Sequence, residues 1–187
     1  PGIATSTACD ANGLSEVLFV EVSNVMTIKI YTNHTIVDEP KVMSRMTMED
    51  VSGNFTYDGN AGIEIRGALS QRFQKKGYGI ETWDVNGEDI NLKIPGFAND
   101  EDFVLYGPFI DHTLMRNALA YNLSNSIGTY AARWRYAELF INCKYNGVYL
   151  LTEKLKRGSQ KINIAASGFI LQLNNIKDRK STRLNSS

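Results

Sequence analysis

Arg66, Lys75 and Lys76 are the side chains of this chain best suited to chemistry on an anion. Arg66 closes the segment Gly62-Ile-Glu-Ile-Arg-Gly67, and the lysines open Lys75-Lys-Gly-Tyr-Gly-Ile-Glu-Thr-Trp83. An arginine offers phosphate oxygens a planar fork; a lysine offers a compact point charge. Gly67, Gly77 and Gly79 stand beside them and let backbone approach a ligand closely. That set suits a nucleotide phosphate. By residue type alone it also suits a solvated cationic strand edge, and both readings stand at this point.

Glu153 is the next residue of interest. It ends the apolar run Val148-Tyr-Leu-Leu-Thr-Glu153 and precedes Lys154, Lys156 and Arg157. A carboxylate there suits pairing with a catalytic lysine, contact with an adenine-linked sugar, or a surface salt bridge with its basic neighbours. Glu64 carries the same ambiguity. Asp111, His112 and Arg116 hold acid-base types, but Asp111 reads as a helix cap and Arg116 as a helix-face cation. Trp83, Trp134, Tyr136 and Tyr149 fit a core or a sugar-binding face. There is no GxGxxG loop, no phosphate-binding GxxxxGK and no Gly-x-Ser-x-Gly elbow. Cys9 and Cys143 lie far apart, lack metal-type spacing with His34 or His112, and read as unpaired thiols. Asn-x-Ser/Thr triplets begin at Asn33, Asn54 and Asn122; such triplets are too common to carry an argument.

The 20 basic and 20 acidic residues balance. Nucleic-acid and anionic-membrane surfaces need a basic excess, so neither is expected. No apolar run approaches the roughly 20 residues of a membrane-spanning helix. The start, Pro1-Gly-Ile-Ala, is not a signal peptide and reads as the start of an excised piece.

The elements that must position these residues follow from periodicity. Met26–Tyr31 and Lys41–Met48 alternate as strands, the second with Val42, Ser44, Met46 and Met48 on one side. Asp50–Asn60 is rich in Gly, Asn and Asp and reads as a loop. Gly62–Gly67 and Lys75–Trp83 read as an antiparallel strand pair, Asp84–Gly87 as a turn and Phe103–Tyr106 as a brief apolar run. Asp111 heads a helix over about Thr113–Ile127, closed by Gly128, with Leu114, Ala118 and Tyr121 and the neighbouring Met115, Leu119 and Leu123 on its apolar face. Arg133–Asn142, Tyr145–Glu153, Lys161–Ile164 and Gly168–Leu173 read as strands. The fold class is α+β, a mainly antiparallel sheet with one principal helix. Residues 1–25 read as an N-terminal extension, 26–178 as the domain and 179–187 as a non-native tail.

From about Thr32 to Asp178 the chain resembles the CotH kinase family, named for spore coat protein H. The resemblance is carried by ordered blocks: Thr32-Asn33 with Ile36–Val42; Gly62–Gly67 with Ser70-Gln71; Phe73 with Lys75–Tyr78 and Glu81-Thr82; Leu114–Asn117; Tyr130-Ala with Arg133; Gly147–Leu151 with Glu153–Arg157. It implies an atypical protein kinase, secreted or surface-associated, using ATP and magnesium on protein substrates such as coat or surface proteins. By that resemblance the domain is like a kinase N-lobe. Arg66 and Lys75 or Lys76 would hold ATP phosphates, and Glu153 would sit near the hinge between lobes. The family's catalytic and metal-binding aspartates lie C-terminal to Gly168–Leu173, so the chain is expected to be an N-terminal portion, inactive alone. No catalytic residue or metal ligand is assigned within it. A non-catalytic adhesion or coat-assembly module on the same fold is the alternative. A carbohydrate-binding role for Trp83 and Trp134 would need both rings on one exposed face. The chain departs from the family's polar turn at Ala68-Leu69, has Gln74 where proline is common, and has Cys143 where a glycine turn is common. Asn142-Cys143 should then make a poor type I′ hairpin turn.

Overall fold

The computed structural model describes residues 4–7, 18–21, 25–165 and 167–170. It divides into a unit over Pro1–Lys154 and a unit over Leu155–Ser187. In the first, β1 (Ala4–Thr7) and β2 (Leu18–Glu21) pair antiparallel as a separate two-stranded sheet. Seven further strands close on themselves: β3 (Met26–Tyr31), β4 (Val42–Glu49), β5 (Phe55–Arg66), β6 (Gly77–Trp83), β7 (Asp102–Tyr106), β8 (Trp134–Ile141) and β9 (Lys144–Glu153). Their order around the barrel is β3-β4-β5-β6-β7-β9-β8. Every neighbouring pair is antiparallel except the closing one, β3 on β8, which is parallel with Ile28 opposite Leu139.

Closure follows from the period-2 pattern. Each strand turns alternate residues inward, and these side chains fill the barrel: Ile28 and Ile30, Met46 and Met48, Ile63, Ile80, Phe103 and Leu105, Leu139, Tyr149 and Leu151 are all buried. Each such side chain contributes about 1.5–3 kcal/mol on leaving water. A closed barrel of this kind has no sheet edge to protect.

The expectation of an α+β domain like a kinase N-lobe is therefore corrected. The molecule is mostly β, and its barrel, not a sheet backed by a principal helix, holds the core. The helix α1 spans Arg116–Ser126, and Ala118 is its buried residue. Leu114 and Tyr121 are half-buried beside Ala118, so this part of the apolar spacing marks the covered side, whereas Leu119, 57% exposed, and Leu123, 65% exposed, form a surface stripe. The helix start is later than expected: Met115, which makes no side-chain cap bond, holds the N-cap position in place of Asp111. Asp111 accepts hydrogen bonds from the Thr113 and Arg116 N–H groups at 3.1 and 2.9 Å, and so organises the entry. Gly128, at φ +81°, closes the exit in the left-handed conformation.

Two loop readings also change. Residues 55–60 are not loop but the first part of β5, which runs for 12 residues. Its glycines make room for rings, since a side chain on Gly62 would overlap the Trp83 indole. At the β8–β9 hairpin, Asn142 and Cys143 adopt φ of 48° and 63°, so the type I′ turn forms after all. Asn142 secures it by trading hydrogen bonds with the Thr32 backbone, accepting at 2.9 Å and donating at 3.0 Å. Cys143 carries a free thiol, and Cys9 lies outside the described residues.

In the second unit, the strand expected over 161–164 is reduced to an isolated bridge between Arg157 and Ile162. Residues 167–170 form no strand, and 171–173 lie outside the described residues.

Candidate functional site

Arg66 ends β5 and pairs in register with Gly77 at the start of β6. The connection between them carries both lysines. It leaves β5 through Gly67 at φ +104°, where a side chain would collide with the Ser70 hydroxyl. It then forms a 3-10 turn over Leu69–Arg72. Two contacts latch it: Gln71 Nε2 donates to the Gly67 carbonyl at 2.5 Å, and Lys76 Nζ donates to the Gln71 carbonyl at 2.5 Å.

Lys75 takes a different path. Its Nζ donates to the Val148 carbonyl of β9 at 2.5 Å and sits 4.6 Å from the centroid of the Tyr149 ring. The ammonium thus lies against an aromatic side chain of the barrel core, a favourable cation–π contact. Burial pushes its pKa below the ordinary lysine value. The chain leaving β7 presses on the same place. A Cβ on Gly107 would stand 2.6 Å from the Lys76 carbonyl and 3.2 Å from Lys75 Cγ. Only glycine allows that approach, so Gly107→Ala is expected to destabilise the fold by about 1–3 kcal/mol through overpacking. Urea titration checks it.

A lysine ammonium has three donors. Lys75 and Lys76 each use one on a carbonyl, which leaves two apiece. Among the described residues the Arg66 guanidinium has no hydrogen-bond or ion-pair partner. The structure therefore brings Arg66, Lys75 and Lys76 onto one connection at one end of the barrel.

Glu153 stands elsewhere. It pairs with Phe103, five residues along β9 from the Val148 carbonyl that holds Lys75, or about 16 Å of extended strand. Its side chain is fully buried. It accepts hydrogen bonds from the Ala98 N–H at 2.5 Å, Arg133 Nη1 at 3.1 Å, the Arg133 N–H at 3.2 Å and the Tyr130 hydroxyl at 3.2 Å. Such an arrangement ties the segment before β8, the loop before β7 and the end of β9 into one hub. Sequence reasoning named Glu153 but not this convergence; Tyr130 and Arg133, its partners, were the signal.

Burial, then the Glu153 charge, pushes the Tyr130 phenol up to about 12. The folded state thus holds this proton after the unfolded chain, near 10, has released it. Stability from this group is full below pH 10 and falls as pH rises toward 12. Tyr130→Phe should shallow that decline in chemical denaturation run across pH 9–12.

Sequence reasoning missed a charged groove on the outer barrel face, of about 230 Å³ and floored by Gly79. Lys41 bridges Glu81 at 3.2 Å and Glu64 at 3.8 Å, and Lys154 bridges Asp102 at 3.1 Å. Burial acts to lower the Lys41 pKa, but the carboxylates of Glu64, Glu81 and Asp102 carry it above the ordinary value. Glu64 is raised, chiefly by burial. Arg66 is itself one of the residues that line the groove. Nearby, carboxylate oxygens of Asp100, Glu101 and Asp102 lie within 4.8 Å of one another, close enough for a shared divalent cation. Asp100 already accepts the N–H groups of Glu101 and Asp102, and Asp102 holds Lys154. The cluster fits a cation only if Lys154 withdraws.

Trp83 and Trp134 do not form a shared platform. They lie on β6 and β8, which are not neighbours in the barrel, and both are half-buried. Trp83 donates to Glu81 at 3.2 Å and Trp134 to Asn122 at 3.2 Å.

The family model described as CotH kinase protein matches residues 63–186, well over half of the chain. The chain belongs to the CotH kinase family. A search of the curated proteins found no matching relative. The CotH match takes in the end of β5, the basic connection, β6 to β9, α1 and the Glu153 hub. No helix among the described residues is long and apolar enough to cross a membrane.

Proposed function

We propose that this chain is the ATP-phosphate-binding part of a CotH-type protein kinase that works outside the cell or at its surface. It would transfer the γ-phosphate of ATP to hydroxyls of coat or surface proteins. The observation that carries this reading is the β5–β6 connection. It places one unpartnered guanidinium and two ammonium groups with unused donors on a short loop between antiparallel strands. Phosphoryl transfer asks of such residues that they hold and neutralise phosphate oxygens, not that they form bonds. Arg66 would grip two oxygens at once, and Lys75 and Lys76 would supply point charges. Glu153 would act on the site only through the barrel frame. Magnesium, when bound, would neutralise the charge that develops on the transferring group; no residue here is assigned to hold it.

The test is titration of magnesium-ATP into the protein by calorimetry. A hydrogen bond to a charged group is worth about 1.5–3 kcal/mol, so Arg66→Ala should weaken binding by about 10- to 150-fold, and Lys76→Ala should weaken it further. Affinity unchanged in both variants removes the grip from these residues.

The exposed stripe on α1 favours a second reading, a non-catalytic adhesion or assembly module on the same fold. That reading predicts no nucleotide affinity at all.

A further inference from the structure

Phe73 and Phe109 stack with ring centroids 5.1 Å apart and planes at 16°. Phe73 lies in the basic connection, two residues before Lys75. Phe109 follows Gly107, the residue pressed against the Lys75 and Lys76 backbone and stem. The ring pair therefore stands beside the two lysines. Phe109 remains 42% exposed, where burial would be expected of a phenylalanine that served only the core.

We propose that Phe109, backed by Phe73, is the stacking platform for the base of a nucleotide whose phosphates lie on Arg66, Lys75 and Lys76. The inference rests on the phosphate-grip reading and specifies its ligand: an aromatic base joined to a polyanion, not an isolated phosphate or phosphopeptide. A parallel ring pair offers its outer face to a third planar ring in the offset geometry that aromatic groups prefer. Phe73 holds Phe109 in place before the ligand arrives, so little side-chain freedom is lost on binding. The cations alongside set the direction in which the phosphates leave the base. Stacking on a ring face reads no hydrogen-bonding edge, so the platform accepts adenine and guanine alike.

The experiment is calorimetry on the full chain with magnesium-ATP, magnesium-GTP and magnesium-tripolyphosphate, for the wild type, Phe109→Ala and Phe109→Leu. Base–aromatic stacking should make ATP bind about 5- to 150-fold more tightly than tripolyphosphate, with GTP within about threefold of ATP. Phe109→Ala should erase that margin and leave tripolyphosphate binding unchanged. Phe109→Leu, which keeps apolar bulk and guards against misfolding, should erase most of it. Equal wild-type affinity for ATP and tripolyphosphate overturns the platform and leaves the grip standing. A margin that survives both substitutions overturns it too. No binding of either ligand overturns the grip, and the platform with it.

Discussion

Replacing Glu153 by alanine is expected to cost about 3–5 kcal/mol, the scale for breaking a buried charged pair by removing one partner. The size follows from what is left behind. The Ala98 N–H, the Arg133 N–H and the Tyr130 hydroxyl would lose their acceptor. The Arg133 guanidinium, one-third exposed, would lose its counter-ion. An unsatisfied buried donor alone costs about 1–3 kcal/mol. Glu153→Gln keeps an acceptor oxygen and should lose markedly less. Urea denaturation of both variants checks the order. Equal, small losses would show that Glu153 is not the hub of this corner.

Truncating Ile28 to alanine should cost about 2–5 kcal/mol. Ile28 is fully buried and faces Met48 on one side and Leu139 on the other across the closing seam. In a closed barrel the seam is interior, so the damage should spread. Amide exchange should accelerate along both β3 and β8. In an open sheet with β3 at one edge and β8 at the other, the two strands would respond independently.

That seam also explains how far the sequence could be read. Alternation alone located β3, β4 and β6, because each is a strand with one buried face, whereas β7 showed only as a brief apolar run. Closure was not legible. It joins Ile28 to Leu139, a pairing set by the shape of the filled interior and not by any local pattern. The helix failed for the reverse reason. Leu114, Ala118 and Tyr121 and, beside them, Met115, Leu119 and Leu123 all fit an apolar face, but spacing does not say that only the first three are covered. In β5, Gly59 looked like loop chemistry, whereas it and Gly62 serve as slots for the Tyr57 and Trp83 rings.

The candidate site divides in the same way. Arg66, Lys75 and Lys76 were identified by type and by neighbouring glycines, and the structure places them on one connection. Glu153 was singled out by its place after an apolar strand. Its four donors come from residues 98, 130 and 133, and no local pattern announces such a convergence. The Phe73–Phe109 stack was likewise invisible, because its rings meet only once β6 and β7 are paired.

The central claim, that the β5–β6 connection and not the outer groove grips ATP phosphates, is tested most directly by NMR of the protein with 13C-labelled lysine side chains. On addition of magnesium-ATP, the Cε signals of Lys75 and Lys76 should shift saturably while those of Lys41 and Lys154 hold. If Lys41 and Lys154 move and the lysine pair stays still, the phosphate site is the groove and the account is wrong.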